Sequence, residues 1–159
     1  MPILIRVLAE HTLGLTIEDS IVIKRSVDQV FAYTTDAKNW PKWQSVIPEA
    51  EQTSQGSINV GSTFKGVSHV MNRSMKWTAV ATECESNKKW GKNITSGDMS
   101  IEEYMAYSPV EGGTAFTIVY NMKAVGFLKL LLPIMARSMS KETKKSLGNL
   151  KTILESSTQ

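Results

Sequence analysis

Ala124-Val-Gly-Phe-Leu-Lys-Leu-Leu-Leu-Pro-Ile-Met-Ala136 is a dense apolar run, and it opens a stretch that keeps a helical pattern to about Ser156. Beyond it the chain thins to a mostly apolar stripe: Leu128, Leu132, Met135, Met139, Thr143, Leu147, Leu150 and Leu154. Steps of three and four put that stripe on one helix face. Pro133 has no amide hydrogen, so it kinks this helix or marks where its regular part begins. Nothing earlier reads as a helix of comparable length. A long helix with one apolar face needs a surface to lie on, and the rest of the chain reads mainly as strands.

Composition sets the bounds. A chain of 159 residues can bury a substantial core, and 42% hydrophobic with 21% charged residues is ordinary for a soluble globular protein. Residues 15–159 read as one domain, with 1–14 as an N-terminal strand extension or arm. The 18 basic residues are interspersed with 15 acidic ones for a net charge of +3, which gives no footprint for nucleic acid. One cysteine, Cys84, excludes an intrachain disulfide and fits a reducing, cytoplasmic setting. Residues 1–9 do not form a secretory signal. The run from Ala124 to Ala136 spans 13 residues and includes Lys129. That is short of the roughly 20 a membrane span needs, so no stable membrane insertion is expected.

From Leu15 the alternation Leu15, Ile17, Asp19, Ile21, Ile23 predicts a strand with one largely apolar face. Ser26-Val-Asp-Gln29 has capping-box spacing and opens a short helix that ends by Asp36-Ala-Lys-Asn39. Pro41 then marks a second short helix flanked by Trp40 and Trp43. Strand patterns follow over Val46–Thr53, Ser62–Val70, Met75–Glu85, Lys89–Ser96, Met99–Tyr107 and Thr114–Met122. The turns between them are too short for parallel crossovers, so neighbouring strands pair antiparallel. The expectation is an α+β domain: seven antiparallel strands, two short helices after the first strand, and the long helix across one sheet face.

Several stretches carry a family resemblance in this order. They are Val22-Ile-Lys-Arg-Ser-Val-Asp-Gln-Val-Phe31, Thr35-Asp-Ala-Lys-Asn-Trp-Pro-Lys-Trp43, Val60-Gly-Ser-Thr-Phe64, Gly112-Gly-Thr114 and Asn149-Leu-Lys-Thr-Ile-Leu-Glu155. Together they resemble the helix-grip (START/pollen-allergen-like, SRPBCC) superfamily, and within it the small polyketide cyclase/dehydrase-like proteins. The resemblance implies a curved sheet wrapped on the C-terminal helix with a cavity between them. Because one fold hosts many activities, the function does not follow from it.

Strand parity then nominates inward-facing residues. The last strand offers Phe116, Ile118, Tyr120 and Met122. By the same reading the strand before it offers Ile101, Glu103, Met105 and Tyr107, and an earlier one Trp77, Ala79 and Ala81. From the helix come Leu128, Leu132, Met135 and Met139, methionine being an adaptable lining. Ligand-binding candidates are therefore Trp77, Met105, Tyr107, Phe116, Ile118, Tyr120, Leu132, Met135 and Met139. Such a wall suits a hydrophobic or aromatic small molecule, lipid- or polyketide-like.

Glu103 and His69 are the acid-base candidates. An inward Glu103 would be desolvated, its proton affinity raised; a register slip would turn Glu102 and Tyr104 inward instead. His69, on a strand with Val67 as its same-face neighbour, is one of 2 histidines, His11 being the other. The two histidines and Cys84 show no metal-ligand spacing, and no metal or cofactor is expected. Gly61-Ser-Thr-Phe-Lys-Gly66 lacks the residue order of a phosphate loop.

Three readings compete. Non-catalytic binding of the small molecule leads, by a monomer or homodimer. A cyclase or dehydratase using a pocket acid-base group comes second. In a protein- or membrane-interaction module, the third, the apolar start of the last helix docks a partner, and burial of Phe127, Leu131 and Ile134 would count against it.

Overall fold

The computed structural model describes residues 6–8 and 14–157. His11 lies outside the described residues. The elements run β1 (Arg6–Leu8), β2 (Gly14–Ile23), α1 (Val27–Thr35), a 3₁₀ turn (Ala37–Asn39) and α2 (Trp40–Trp43). They continue with β3 (Glu49–Gln52), β4 (Thr63–Val70), β5 (Arg73–Glu85), β6 (Lys89–Ser96), β7 (Met99–Val110), β8 (Gly113–Ala124) and α3 (Leu128–Ser156). All seven expected strands are present, joined at one edge by β1, in the antiparallel order β1-β2-β8-β7-β6-β5-β4-β3. This is the helix-grip arrangement, a curved open sheet with the long helix on its inner face.

Local chemistry explains the layout. The Gln29 side-chain oxygen accepts from the Ser26 amide (3.4 Å) and hydroxyl (3.0 Å), which fixes the start of α1. The hairpin between β4 and β5 turns on Met71 and Asn72, at φ 51° and 62°, left-handed values that suit a two-residue turn. A register shift between Ala81 and Glu83 in the β5–β6 ladder adds bend to the sheet. Gly113 is required at the β8 start, because a Cβ there would collide with the Ile23 carbonyl oxygen.

The helix α3 packs on β2, β8 and α2. Its C-terminal end is tied down: Glu155 accepts from the Lys24 amide (2.9 Å) and Lys151 donates to the Val22 carbonyl (2.7 Å). Nearer its middle, Asn149 donates to the Trp43 carbonyl (3.3 Å).

Two expectations need correction. The last helix starts at Leu128 rather than Ala124. Ala124 ends β8, opposite Met99, and Gly126 at φ 62° turns the chain before the helix. An unbroken apolar run hides such a turn, since its composition is the same on both sides. The strand expected over Val46–Thr53 is only Glu49–Gln52, because Pro48 has no amide to give a ladder. Val46 instead accepts a hydrogen bond from the His69 amide at 2.7 Å.

Candidate functional site

The alternation read from β7 and β8 is the observed one: Glu103, Met105 and Tyr107 on β7, and Phe116, Ile118, Tyr120 and Met122 on β8, are buried on the inner face. Register assembles these side chains into rungs across the sheet. One rung is Trp90–Met105–Ile118, and another Tyr107–Phe116–Ile21. A third is Lys92–Glu103–Tyr120–Ile17, and a fourth Ile94–Ile101–Met122–Leu15.

The first two rungs are filled. Tyr107 lies between Phe31, which it meets edge-on (centroids 5.1 Å apart), and Phe116, to which it is tilted (5.3 Å), and Trp43 meets Phe116 edge-on at 6.3 Å. The Tyr107 hydroxyl is 2.6 Å from that of Thr34 on α1. Burial pushes the Tyr107 phenol upward, with the Thr34 hydrogen bond opposing.

The last two rungs face a cavity of about 130 Å³. Met135, Met139 and Thr143 of α3 form its roof; Trp77, Lys92, Ile94, Met99, Ile101, Glu103, Tyr120 and Met122 form its floor. Val46, Ile47, His69, Ser138 and Glu142 surround the mouth. The indole of Trp77 reaches over Gly66 of β4, where a Cβ would run into the ring. Gly66 is what lets this floor residue lie flat.

Of the candidates named from sequence, Glu103, His69, Trp77, Tyr120, Met135 and Met139 border this cavity. Met105, Tyr107, Phe116, Ile118 and Leu132 do not, and that is a correction. The first four face inward as expected, on rungs that α1, α2 and their own neighbours cover, and Leu132 is buried on α3.

His69 also differs in setting. It is exposed on the rim, its Nδ1 3.0 Å from the Ser74 hydroxyl, and among the described residues no hydrogen bond joins it to Glu103.

The polar centre of the cavity is an ion pair. Lys92 Nζ donates to Glu103 Oε1, and both side chains are only 3% exposed. The Lys92 ammonium also lies 4.3 Å from the Trp40 ring centroid, a cation–π arrangement. The sequence reading places a desolvated carboxyl at Glu103, and the structure adds Lys92 as its partner. Glu102, on the opposite face, pairs instead with Lys123 at 3.6 Å. Next to Glu103, Tyr120 is held neutral: burial first, and the negative Glu103 second, raise its phenol well above the ordinary value. It is therefore a hydrogen-bond donor at any ordinary pH. Sequence reasoning misses Lys92, although the alternation Trp90, Lys92, Ile94 carries its orientation.

The cavity thus offers apolar walls, one buried cation, one buried carboxylate and one phenol in a row. Among the described residues, no helix is long and apolar enough to cross a membrane.

Comparison with known proteins adds the following. The model of a family described as polyketide cyclase/dehydrase and lipid transport matches residues 15–155. A protein from Thermus thermophilus is similar in structure at TM-score 0.75 and 15% identity, over 89% of this chain and 99% of that one. An aromatase/cyclase from a Streptomyces species is similar at TM-score 0.74 and 9% identity, covering 89% and 94%. A START superfamily protein from Mycobacterium smegmatis is similar at TM-score 0.72 and 10% identity, covering 88% and 97%. At such identities the likeness is one of fold. No curated protein matches the sequence.

Proposed function

The chain belongs to the polyketide cyclase/dehydrase and lipid transport family, and on that premise we propose that it binds a hydrophobic or aromatic small molecule between sheet and C-terminal helix. The observation that carries this reading is the cavity of about 130 Å³ between Met135 and Met139 on one side and the Lys92–Glu103–Tyr120 rung on the other. An apolar cavity of about 150 Å³ in another protein holds a benzene molecule. A ring or chain end therefore fits inside, with the remainder of the ligand leaving by the mouth. Burial of apolar ligand surface supplies affinity, and a carbonyl or hydroxyl on the ligand would meet Lys92, Glu103 or Tyr120 and set its orientation. Half-buried Cys84 is compatible with a cytoplasmic setting.

The direct test is native mass spectrometry of purified protein, with titration of 8-anilinonaphthalene-1-sulfonate as a fluorescent apolar probe. Saturable binding that Met135→Trp removes is expected. A protein that retains no apolar molecule and takes up no probe would sink the proposal.

The ion pair favours one second reading, a cyclase or dehydratase. Glu103 would take the α-proton of a bound β-hydroxy ketone while Lys92 and Tyr120 stabilise the enolate oxygen; as the enolate collapses to the Cα=Cβ double bond the Cβ–O bond breaks, and Glu103 returns its proton to the departing hydroxide, giving water. Turnover of a polyketide-like β-hydroxy ketone that survives Glu103→Gln would remove this version. His69, at the rim, enters only as a group that relays protons to solvent, and His69→Ala tests it separately.

A further inference from the structure

The start of α3 is exposed where an ordinary core helix is not. Phe127 is 73% exposed, Leu130 72% and Ile134 54%, with exposed Val125 just ahead in the turn. Steps of three and four place Phe127, Leu130 and Ile134 on one side of the helix, away from buried Leu132, Met135 and Ala136. The same side continues through Arg137, Lys141, Lys144 and Lys145, all exposed. One stripe is therefore apolar for its first two turns and basic for the next two.

Charge is concentrated there. Residues 123–145 hold six of the 18 basic residues and one of the 15 acids, a local +5 within a chain of +3 that leaves −2 elsewhere. The one acid, Glu142, stands at the cavity mouth beside Ser45 (3.4 Å) rather than among the exposed cations. A contiguous apolar patch flanked by cations matches a surface that is apolar beneath and anionic on top.

A second copy of the chain matches it poorly. A two-fold contact through this face would set its basic residues near those of the second copy, with no acid among them to offset the repulsion.

We propose that this face of α3, Phe127–Leu130–Ile134 with the basic residues Arg137, Lys141 and Lys144, docks the protein on an anionic lipid bilayer. The apolar side chains enter the interface and the cations pair with lipid headgroups. Ser138, Met139 and Glu142, on the next turn, border the cavity mouth, so docking brings that mouth to the lipid surface. Only this last consequence rests on the binding reading above; the docking itself does not.

Flotation of the full-length protein with two kinds of vesicle tests it: phosphatidylcholine alone, and phosphatidylcholine mixed with phosphatidylglycerol. The expected result is flotation with the anionic vesicles, little with the neutral ones, and loss at high salt. The triple variant Phe127→Ser, Leu130→Gln, Ile134→Gln should bind roughly tenfold or more weakly. Circular dichroism should stay unchanged, since the sites are exposed. Arg137→Glu with Lys141→Glu should lower binding at low salt.

Three results overturn the proposal. They are no flotation with anionic vesicles, equal flotation after the triple substitution, and a wild-type dimer that the triple variant dissociates. Met135→Trp separates the two ideas, because it blocks the cavity and leaves vesicle binding intact.

Discussion

The inner face of the sheet is built alike at both ends and finished differently. At one end Tyr107 and Phe116 are covered by Phe31 of α1 and Trp43 of α2, and with Met105 and Ile118 they are buried. At the other, Glu103 and Tyr120 look toward Met135 and Met139 across the cavity. The strands, their parity and their pairing are the same in both regions. What differs is the third layer: Phe31 and Trp43 of the short helices fill one half of the face, whereas Trp40 of α2, Gln44, Val46, Ile47 and α3 stand around a cavity over the other. Polar groups follow the same division. The closed end satisfies Tyr107 with a neutral hydroxyl on Thr34, whereas the open end holds a full ion pair.

The sharpest way to break this contrast is to remove half of the ion pair. Glu103→Leu leaves Lys92 buried without its anion, and urea unfolding should show a loss of about 3–5 kcal/mol. The double change Lys92→Met, Glu103→Leu should recover most or all of that, because well-packed apolar replacements of a buried pair are often neutral or stabilising. A single variant as stable as wild type would mean the pair is not desolvated.

At the closed end the comparable change is Phe116→Ala, expected to cost about 3–5 kcal/mol, since its removal empties a packed site. Met139→Ala, half-buried on the wall of existing space, should cost well under that. Equal losses at the two positions would erase the distinction between a filled and an unfilled half.

Alkali offers a milder probe. Both inner tyrosines have folded pKa values above the unfolded value near 10. Between the unfolded and folded values the native state holds more protons than the unfolded chain. Stability is therefore complete below about pH 10 and falls as pH rises further, by up to about 1.4 kcal/mol per pH unit for each group. Tyr120→Phe should flatten that slope in denaturant melts run at rising pH. An unchanged slope would show that Tyr120 is not desolvated.

How far the site was legible follows from the same contrast. Alternation in β7 and β8 discloses which side chains face inward, because a strand's period is two and the inner face is apolar. It says nothing about position along the strand, so Met105, Tyr107, Phe116 and Ile118 look as suitable for a ligand as Tyr120. Their fate depends on Phe31 and Trp43, which arrive from other elements through tertiary packing. Glu103 was legible by parity, and the alternation Trp90, Lys92, Ile94 carries the orientation of Lys92, but their pairing was not, since the Lys92–Glu103 register depends on how the β6–β7 hairpin is closed. The fold needed less: capping at Ser26, the Trp40-Pro41 helix start and the final stripe are each local signals. The turn at Gly126 was hidden because the apolar residues around it look alike in strand, turn and helix.

The smallest expected effect on stability is also the most discriminating. Ile101→Phe adds volume on the cavity rung, where there is space to receive it, so the change in unfolding free energy should stay below about 1 kcal/mol. The comparable enlargement on a filled rung, Ile118→Phe, forces neighbouring side chains off their rotamers and should cost about 1–3 kcal/mol. Probe binding should respond in the opposite order, lost in Ile101→Phe and kept in Ile118→Phe if that variant is assayed below its melting range. The two substitutions add the same atoms to the same residue type on the same face of the sheet. A difference in their behaviour can therefore arise only from what faces each rung. If Ile101→Phe proves the more destabilising of the two, the open half is already packed in solution, and α3 is a lid on a core rather than the wall of a binding site.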